Sequence, residues 1–487
     1  MRRFAIASGG LIIVTALVAV DATTASAASG TGAGTRAALV NAPAAAPQGR
    51  STPLKPKPLK SKATKRKAAK AKRYYVTQGP RFNLPTGNLK QQGAVDLYIK
   101  KLIRHSPKGS EIDVSLFRLQ TEGMAKELVR AQKRKVKVRV IVDSDSLGRR
   151  KGVYDYLRRH LGANPRRSSW ILVCPKGRGC IAPKAKGEWS KNHNKFYAFS
   201  RTYDSRNVVV QTSGNATGGM YNQYNDAYTL ADAKLYKAYR TYFYDLQKRR
   251  ANGNYYRTYR SGARAASYFP KAKGDPIADA LDKVSCAGGT SIRLSSGMFT
   301  RTGVSTRLAG LDDAGCDVKI VSGTLGDSTA KVLSRSGPHG GPDVHVFTAQ
   351  QSQRAHSKYL LIDGRYQGRD RKLVITGSHS YTTDALRHND EAIVTLEQGS
   401  VHDAYARNFA RVFGAAKGRL MIAPWSPTKT VPDNATDPED EGTPPSDGPG
   451  AGNPESGAAG AGAPELQLPA DDGAGAPPAA GPPSTDG

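Results

Sequence analysis

Two histidine–lysine pairs carry the most chemistry in this chain: His193-Asn194-Lys195 and His356-Ser357-Lys358. Ser213-Gly214-Asn215 and then Asn225-Asp226 follow the first pair, while Ser378-His379-Ser380 and then Asn389-Asp390 follow the second. The offset between copies is 163 at the histidines, 165 at the serines and 164 at the Asn-Asp pairs. On a strand, positions i and i+2 share a face, so imidazole and ammonium in each pair point the same way. That combination suits a phosphodiester. Lys195 and Lys358 neutralise its non-bridging oxygens, and an imidazole attacks phosphorus or protonates the leaving oxygen. Ser213, Asn215, Ser378 and Ser380 are expected to donate to the same oxygens. Asp226 and Asp390, with Glu391 next door, are candidates to accept the other ring N–H of each histidine and fix its tautomer. One His-x-Lys in so basic a chain is a weak signal, but its ordered recurrence predicts a single site built from both copies.

The elements that must position these residues repeat as well. The apolar stretch after His356 reads as a strand ending at the turn Asp363-Gly364, and a second apolar run precedes each serine, at 207–211 and 372–376. Upstream, 109–117 resembles 289–296 and 136–142 resembles 316–321 at an offset of 180, which puts about 17 additional residues within 146–190 of the first half. Downstream, 238–243 matches 404–409 in helix-like segments. Each half therefore reads strand, helix, strand, strand pair, helix, the alternation of an α/β unit.

These residues resemble the phospholipase D superfamily, whose signature His-x-Lys-x4-Asp followed by Gly-Ser-x-Asn occurs twice in one chain. The likeness runs from Tyr74 to Trp425. The second copy matches His356, Lys358, Asp363 and Gly377-Ser378 but has Ser380 where the family prefers Asn. The first keeps His193, Lys195, Ser213 and Asn215 but carries Ser200 for Asp and Thr212 for Gly. Position i+7 has odd parity relative to the histidine, so Asp363 and Ser200 are expected on the face opposite the imidazole. The resemblance implies an α/β fold of two pseudo-symmetric halves, each a mixed sheet flanked by helices, with one active site at their interface. It also implies a two-step exchange without metal or cofactor. His193 would become a phosphohistidine, and His356 would protonate the departing alcohol and then activate water or an acceptor alcohol. Lys195, Lys358, Asn215 and Ser380 would hold the phosphoryl oxygens, and Asp226 and Asp390 would orient the imidazoles.

The rest of the chain sets the context. Met1-Arg2-Arg3, the apolar run 4–20 and Ala25-Ser26-Ala27 have the three parts of a secretory signal peptide, expected over 1–27. A basic Pro/Ala/Lys-rich linker follows over 28–73, with ten Lys or Arg and no acid from Ser51 to Arg73. The first half is expected over 74–270, the second over 271–424, and a disordered Pro/Gly/Ala-rich acidic tail over 425–487. Export permits disulfides. Three connectivities of Cys174, Cys180, Cys286 and Cys316 are open, with pairing inside each half favoured. Metal-ligand spacing is missing, so no zinc site is expected.

The formal charge is +33, of which about +30 falls on residues 74–424, a field that attracts phosphate-bearing substrates. Three functions fit: a secreted, monomeric phospholipase D acting on phospholipid head groups, which is favoured; a nuclease-type phosphodiesterase; and a phosphate-polymer binder without turnover. The lipid reading carries with it peripheral contact with membrane or cell wall. The Tyr- and Arg-rich stretch 236–268 either packs in a core or meets bases or lipid. The insertion 146–190, with Trp170 and Trp189, is expected to overhang the site and tune selectivity, or to be a solvated excursion.

Overall fold

Residues 79–248 and 257–419 build two sheets with the same internal order. The computed structural model describes residues 73–148, 151–185 and 190–421. The leader, the basic linker apart from Arg73, Trp189 and the acidic tail lie outside the described residues.

In the first half, β1 (Gly79–Phe82), α1 (Ala94–Arg104), β2 (Glu111–Leu116), α2 (Glu122–Lys133), β3 (Lys137–Val142), α3 (Lys151–Leu161) and β4 (Trp170–Val173) lead to the strand pair β5 (Lys195–Thr202) and β6 (Ser205–Thr212). β7 (Asp226–Ala231) and α4 (Ala233–Lys248) close it, giving a sheet ordered β1-β7-β6-β5-β2-β3-β4. β2, β3 and β4 are parallel and the remaining neighbours antiparallel. Ile112, Val114 and Leu116 face α1 and α2 in an outer core. Asp113 faces the other way and is held by Arg139 at 2.6 Å and by Arg240 of α4 at 3.2 Å, so this buried acid is paired on both sides.

The second half repeats the plan. β8 (Arg257–Ser261), β9 (Arg264–Tyr268) and α5 (Pro276–Leu281) precede β10 (Ser291–Phe299), α6 (Thr302–Asp313), β11 (Asp317–Leu325), α7 (Asp327–Leu333) and β12 (Asp343–Val346). The strand pair β13 (Tyr359–Tyr366) and β14 (Arg369–Gly377), then β15 (Ala392–Glu397), α8 (Gly399–Ala415) and β16 (Gly418–Arg419) complete it. The sheet order is β16-β12-β11-β10-β13-β14-β15-β9-β8. β8 and β9 add to the second sheet, Tyr268 opposite Ala392, so sheet membership changes before Arg257 rather than after residue 270.

The described core has three parts, one outside each sheet and one between them. The central part joins Phe196, Tyr239 and Tyr242 of the first half to Tyr268, Tyr359 and Tyr405. Tyr242 stacks on Tyr268 at 4.4 Å between ring centroids. Tyr236, Tyr239 and Tyr242 of α4 are thus core, each burial worth about 2 kcal/mol.

Other details differ from the sequence expectation. β13 does not turn at Asp363-Gly364 but runs on to Tyr366, and the hairpin closes at Gln367 and Gly368, with φ of 50° and 73°. Gly364 stays within the strand at φ +134°, where a Cβ would lie 2.5 Å from Thr290 Oγ1. Much of the stretch 146–190 is regular: α3 and β4 have counterparts in α7 and β12. After β4 the chain enters a loop closed by a disulfide between Cys174 and Cys180. Cys286 and Cys316 form the other, so both pairs are local. Among the described residues no helix is long and apolar enough to cross a membrane.

Candidate active site

Each His-x-Lys segment leaves its own sheet just before β5 or β13 and bonds to the other half. The His193 amide donates to the carbonyl of Asp390 at 3.0 Å, and the His356 amide donates to the carbonyl of Tyr224 at 3.2 Å. Residues 223–224 also pair in parallel with residues 354–355. The two imidazoles are therefore held by the segments that lead into β15 and β7 respectively.

The side chains cross over in the same way. His193 Nδ1 lies 2.7 Å from Glu391 Oε1 and His356 Nδ1 lies 2.5 Å from Asn225 Oδ1. The serines complete both pairs: Ser378 Oγ donates to Glu391 Oε2, and Ser213 Oγ donates to Asn225 Oδ1 at 3.2 Å. All of these groups are buried. Glu391 and Asn225 are thus equivalent, an offset of 166 rather than the 164 read from the Asn-Asp letters.

This corrects the expected role of the two aspartates. Asp226 Oδ2 accepts from Thr376 Oγ1 at 2.6 Å and from the Tyr405 hydroxyl at 2.8 Å, tying β7 to the second half. The Asp390 carboxylate accepts backbone N–H groups of Cys180, Ile181 and Ala182. Neither carboxylate is the Nδ1 partner of a histidine, because one residue of register sends neighbouring side chains to opposite faces.

The lysines stand where the repeat predicts. Lys195 Nζ donates to the His193 carbonyl at 3.1 Å, and Lys358 Nζ lies 2.6 Å from His356 Nε2. Phe117 packs edge-on against the His193 ring at 5.1 Å, with Lys191 and Lys195 Nζ 5.4 and 5.3 Å from its own centroid. The matching position beside His356 is Gly297, where a Cβ would come 3.3 Å from His356 Cδ2. Asn215 and Ser380 are buried at equivalent points, after Ser213 and Ser378. Asp363 is set apart in the middle of β13, half-exposed and 3.4 Å from Lys372. Ser200 accepts the amide of Glu111 at 2.8 Å, so the substitution there is absorbed by backbone packing away from the histidines. Thr212 Oγ1 donates to the Asp226 carbonyl at 2.6 Å.

Electrostatics join the halves into one site. Burial holds His193 well below its ordinary value, reinforced by Lys195 and Lys191 of its own half and by Lys358 and His356 of the other. A neutral imidazole with Nδ1–H on Glu391 keeps its lone pair on Nε2, the nitrogen that can attack. Burial pushes Glu391 up to about 8, opposed by Lys195, the Ser378 hydroxyl, Lys358 and Lys191. Its two donors favour the charged form. Asp143, missed from the sequence, lies beneath the same segment and accepts the Asn192 amide at 2.7 Å, with burial pushing it up to about 6. Nothing in its local sequence signals this. Asn225 was visible but hidden behind the adjacent acid.

The fold and this arrangement define a duplicated α/β protein with paired imidazoles and lysines at the junction of its halves. Residues 99–247 and 281–413 match the family described as "Cardiolipin synthase, PLD-like domain", and the chain belongs to this phospholipase D-like family. Among solved structures it is similar to the phosphatidylserine synthase of Haemophilus influenzae Rd KW20, with a TM-score of 0.50 and 14% identity over 70% of this chain and 87% of that one. The polyphosphate kinase of Porphyromonas gingivalis gives 0.48 and 14% over 73% of this chain. The match covers 54% of that kinase, so this chain spans about half its length. Nuc of Salmonella typhimurium, a phospholipase D family member, gives 0.26 and 20% over 32% of this chain and 97% of that one. No curated protein sequence matches significantly. The fold is that of phospholipase D-superfamily enzymes, which act on phosphodiesters.

Proposed function

We propose that the protein is a phospholipase D-type phosphodiesterase that hydrolyses or exchanges phospholipid head groups through a phosphohistidine. The observation that carries this reading is the crossed support of two buried imidazoles, His193 on Glu391 and His356 on Asn225, within one lysine-lined site. In the first step His193 Nε2 bonds to phosphorus as the leaving P–O bond breaks, and His356 gives that oxygen its proton. In the second, His356 takes a proton from water or an alcohol, whose oxygen bonds to phosphorus as the P–N bond breaks. Lys195 and Lys358, with Asn215 and Ser380 nearby, would serve the phosphoryl oxygens, whereas the hydroxyl protons of Ser213 and Ser378, expected to do the same, are committed to Asn225 and Glu391 and support the imidazoles instead.

The lipid assignment is supported by the family description, which names a phospholipid enzyme, and by the leader-like start of the chain. Two disulfides fit an oxidising compartment, and we place the enzyme outside the cytosol, working at a membrane or wall surface. Purified protein is incubated with phosphatidylcholine vesicles and 1-butanol, and separately with supercoiled plasmid in EDTA. Phosphatidylbutanol is the expected product. Plasmid nicking without phosphatidylbutanol would transfer the chemistry to nucleic acid, and neither product with retained phosphate binding would leave a binding protein.

A further inference from the structure

Asp390 is fully buried, while the Nδ1 partners of the two imidazoles are Glu391 and Asn225. Three consecutive amides grip the Asp390 carboxylate: Cys180 at 2.5 Å, Ile181 at 3.1 Å and Ala182 at 2.6 Å. Successive amides converging in this way form an anion-binding concavity. Gly179 is needed for it, since a Cβ there would lie 2.6 Å from Asp390 Oδ2. The gripping loop is closed by the Cys174–Cys180 disulfide and anchored at its start by the Cys174 amide, which donates to the Val142 carbonyl at 2.9 Å.

The backbone of Asp390 is equally committed. Its amide donates to the Lys191 carbonyl at 2.9 Å, and its carbonyl accepts the His193 amide at 3.0 Å. The next residue, Glu391, carries the carboxylate that meets His193 Nδ1. The loop, Asp390, Glu391 and the His193 ring are therefore linked in sequence through hydrogen bonds. We propose that Asp390 is a positioning residue: held by the Cys174–Cys180 loop, it fixes Glu391 against His193, so that reduction of this disulfide slackens the nucleophile.

The inference rests on the phosphodiesterase reading above. A dithiol reductant breaks the S–S bond, gives two thiols on the protein and is itself oxidised to a disulfide. The loop then keeps its sequence but loses its closure, and the amides no longer converge. A misplacement of this kind near a reacting atom costs on the order of 100-fold in rate.

The test uses the full chain carrying Cys286→Ser and Cys316→Ser, so that only one disulfide remains. Turnover of bis(p-nitrophenyl) phosphate, folding by circular dichroism and the low-field imidazole N–H resonance of His193 are followed with and without dithiothreitol. Asp390→Asn, in the same background, is measured alongside. Reduction and Asp390→Asn are each expected to lower kcat by about 10- to 100-fold with KM within about twofold, and to shift or broaden the resonance while the fold is retained. Unchanged kcat and an unchanged resonance in both would overturn the proposal. If the oxidised protein turns over no diester, the phosphodiesterase reading fails by itself. The resonance then decides the positioning role: a shift on reduction upholds it, and no shift rejects it.

Discussion

Replacing Glu391 by Gln removes a charge behind His193 without shortening the side chain. The ring nitrogen and carboxylate oxygen are 2.7 Å apart. Once Nε2 has bonded to phosphorus the ring is cationic, and unit charges about 4 Å apart at an effective dielectric near 20 attract by about 4 kcal/mol. A Gln carbonyl still accepts the Nδ1 proton and keeps roughly half of that, so the expected loss is about 2 kcal/mol, or about 30-fold in kcat. KM should stay put, because both Glu391 oxygens are already taken by His193 and Ser378. The pH profile sharpens the test. With burial pushing Glu391 up to about 8, the wild-type rate should climb as the carboxyl loses its proton. The variant should lack that limb, its deficit small in acid and full above pH about 8. Initial rates on bis(p-nitrophenyl) phosphate give both readings. An E391Q enzyme that tracks the wild type at every pH, while His193→Ala is dead, would refute the crossed pairing as the source of catalytic power.

Asn225→Ala removes the support of His356, the proposed proton donor, and should slow diesters with alkyl leaving groups about 10-fold or more while sparing nitrophenyl ones, read as rates across a leaving-group series. The Asp143 carboxyl is raised by burial from 3.8 to about 6. Its contribution to stability is therefore complete below pH about 3.8 and lost as pH rises through about 6. Denaturant unfolding should show the wild type losing about 3 kcal/mol relative to Asp143→Asn over that window, and parallel stabilities would reject the raised value. Gly364→Ala should cost about 3 kcal/mol, because its φ of +134° and the Thr290 contact both oppose a Cβ. A lowered Tm with unchanged kcat below the transition is the expected pattern.

Much of the plan was legible because it was written twice. The order of strands and helices and the parity that sends Ser200 and Asp363 away from the histidines follow from local periodicity, which survives into the fold, whereas the core packing of the α4 tyrosines was one of the readings that periodicity left open. Local cysteine pairing was favoured for a similar reason, each pair lying inside one half. The partners of the imidazoles were not legible. Asn225 and Glu391 share no letter, the loop between serine and partner is one residue longer in the second copy, and the contact runs between halves rather than within one. The affiliation of Arg257–Tyr268 with the second sheet escaped for a related reason: strand pairing is settled by what lies alongside, here β15, and not by position in the chain. That the stretch before His193 contains counterparts of α7 and β12 was not legible, because α3 is longer than α7, 11 residues against 7, and the letters of the strands differ.

The crossed hydrogen bonds have a consequence for dissecting this molecule. A fragment ending before Asn389 would carry His193 but not the acceptor for its Nδ1, and a fragment beginning after Asn225 would strip His356 in the same way. Neither piece is a smaller enzyme. Activity belongs to the pairing, and co-refolded fragments would regain it only by rebuilding both reciprocal contacts at once.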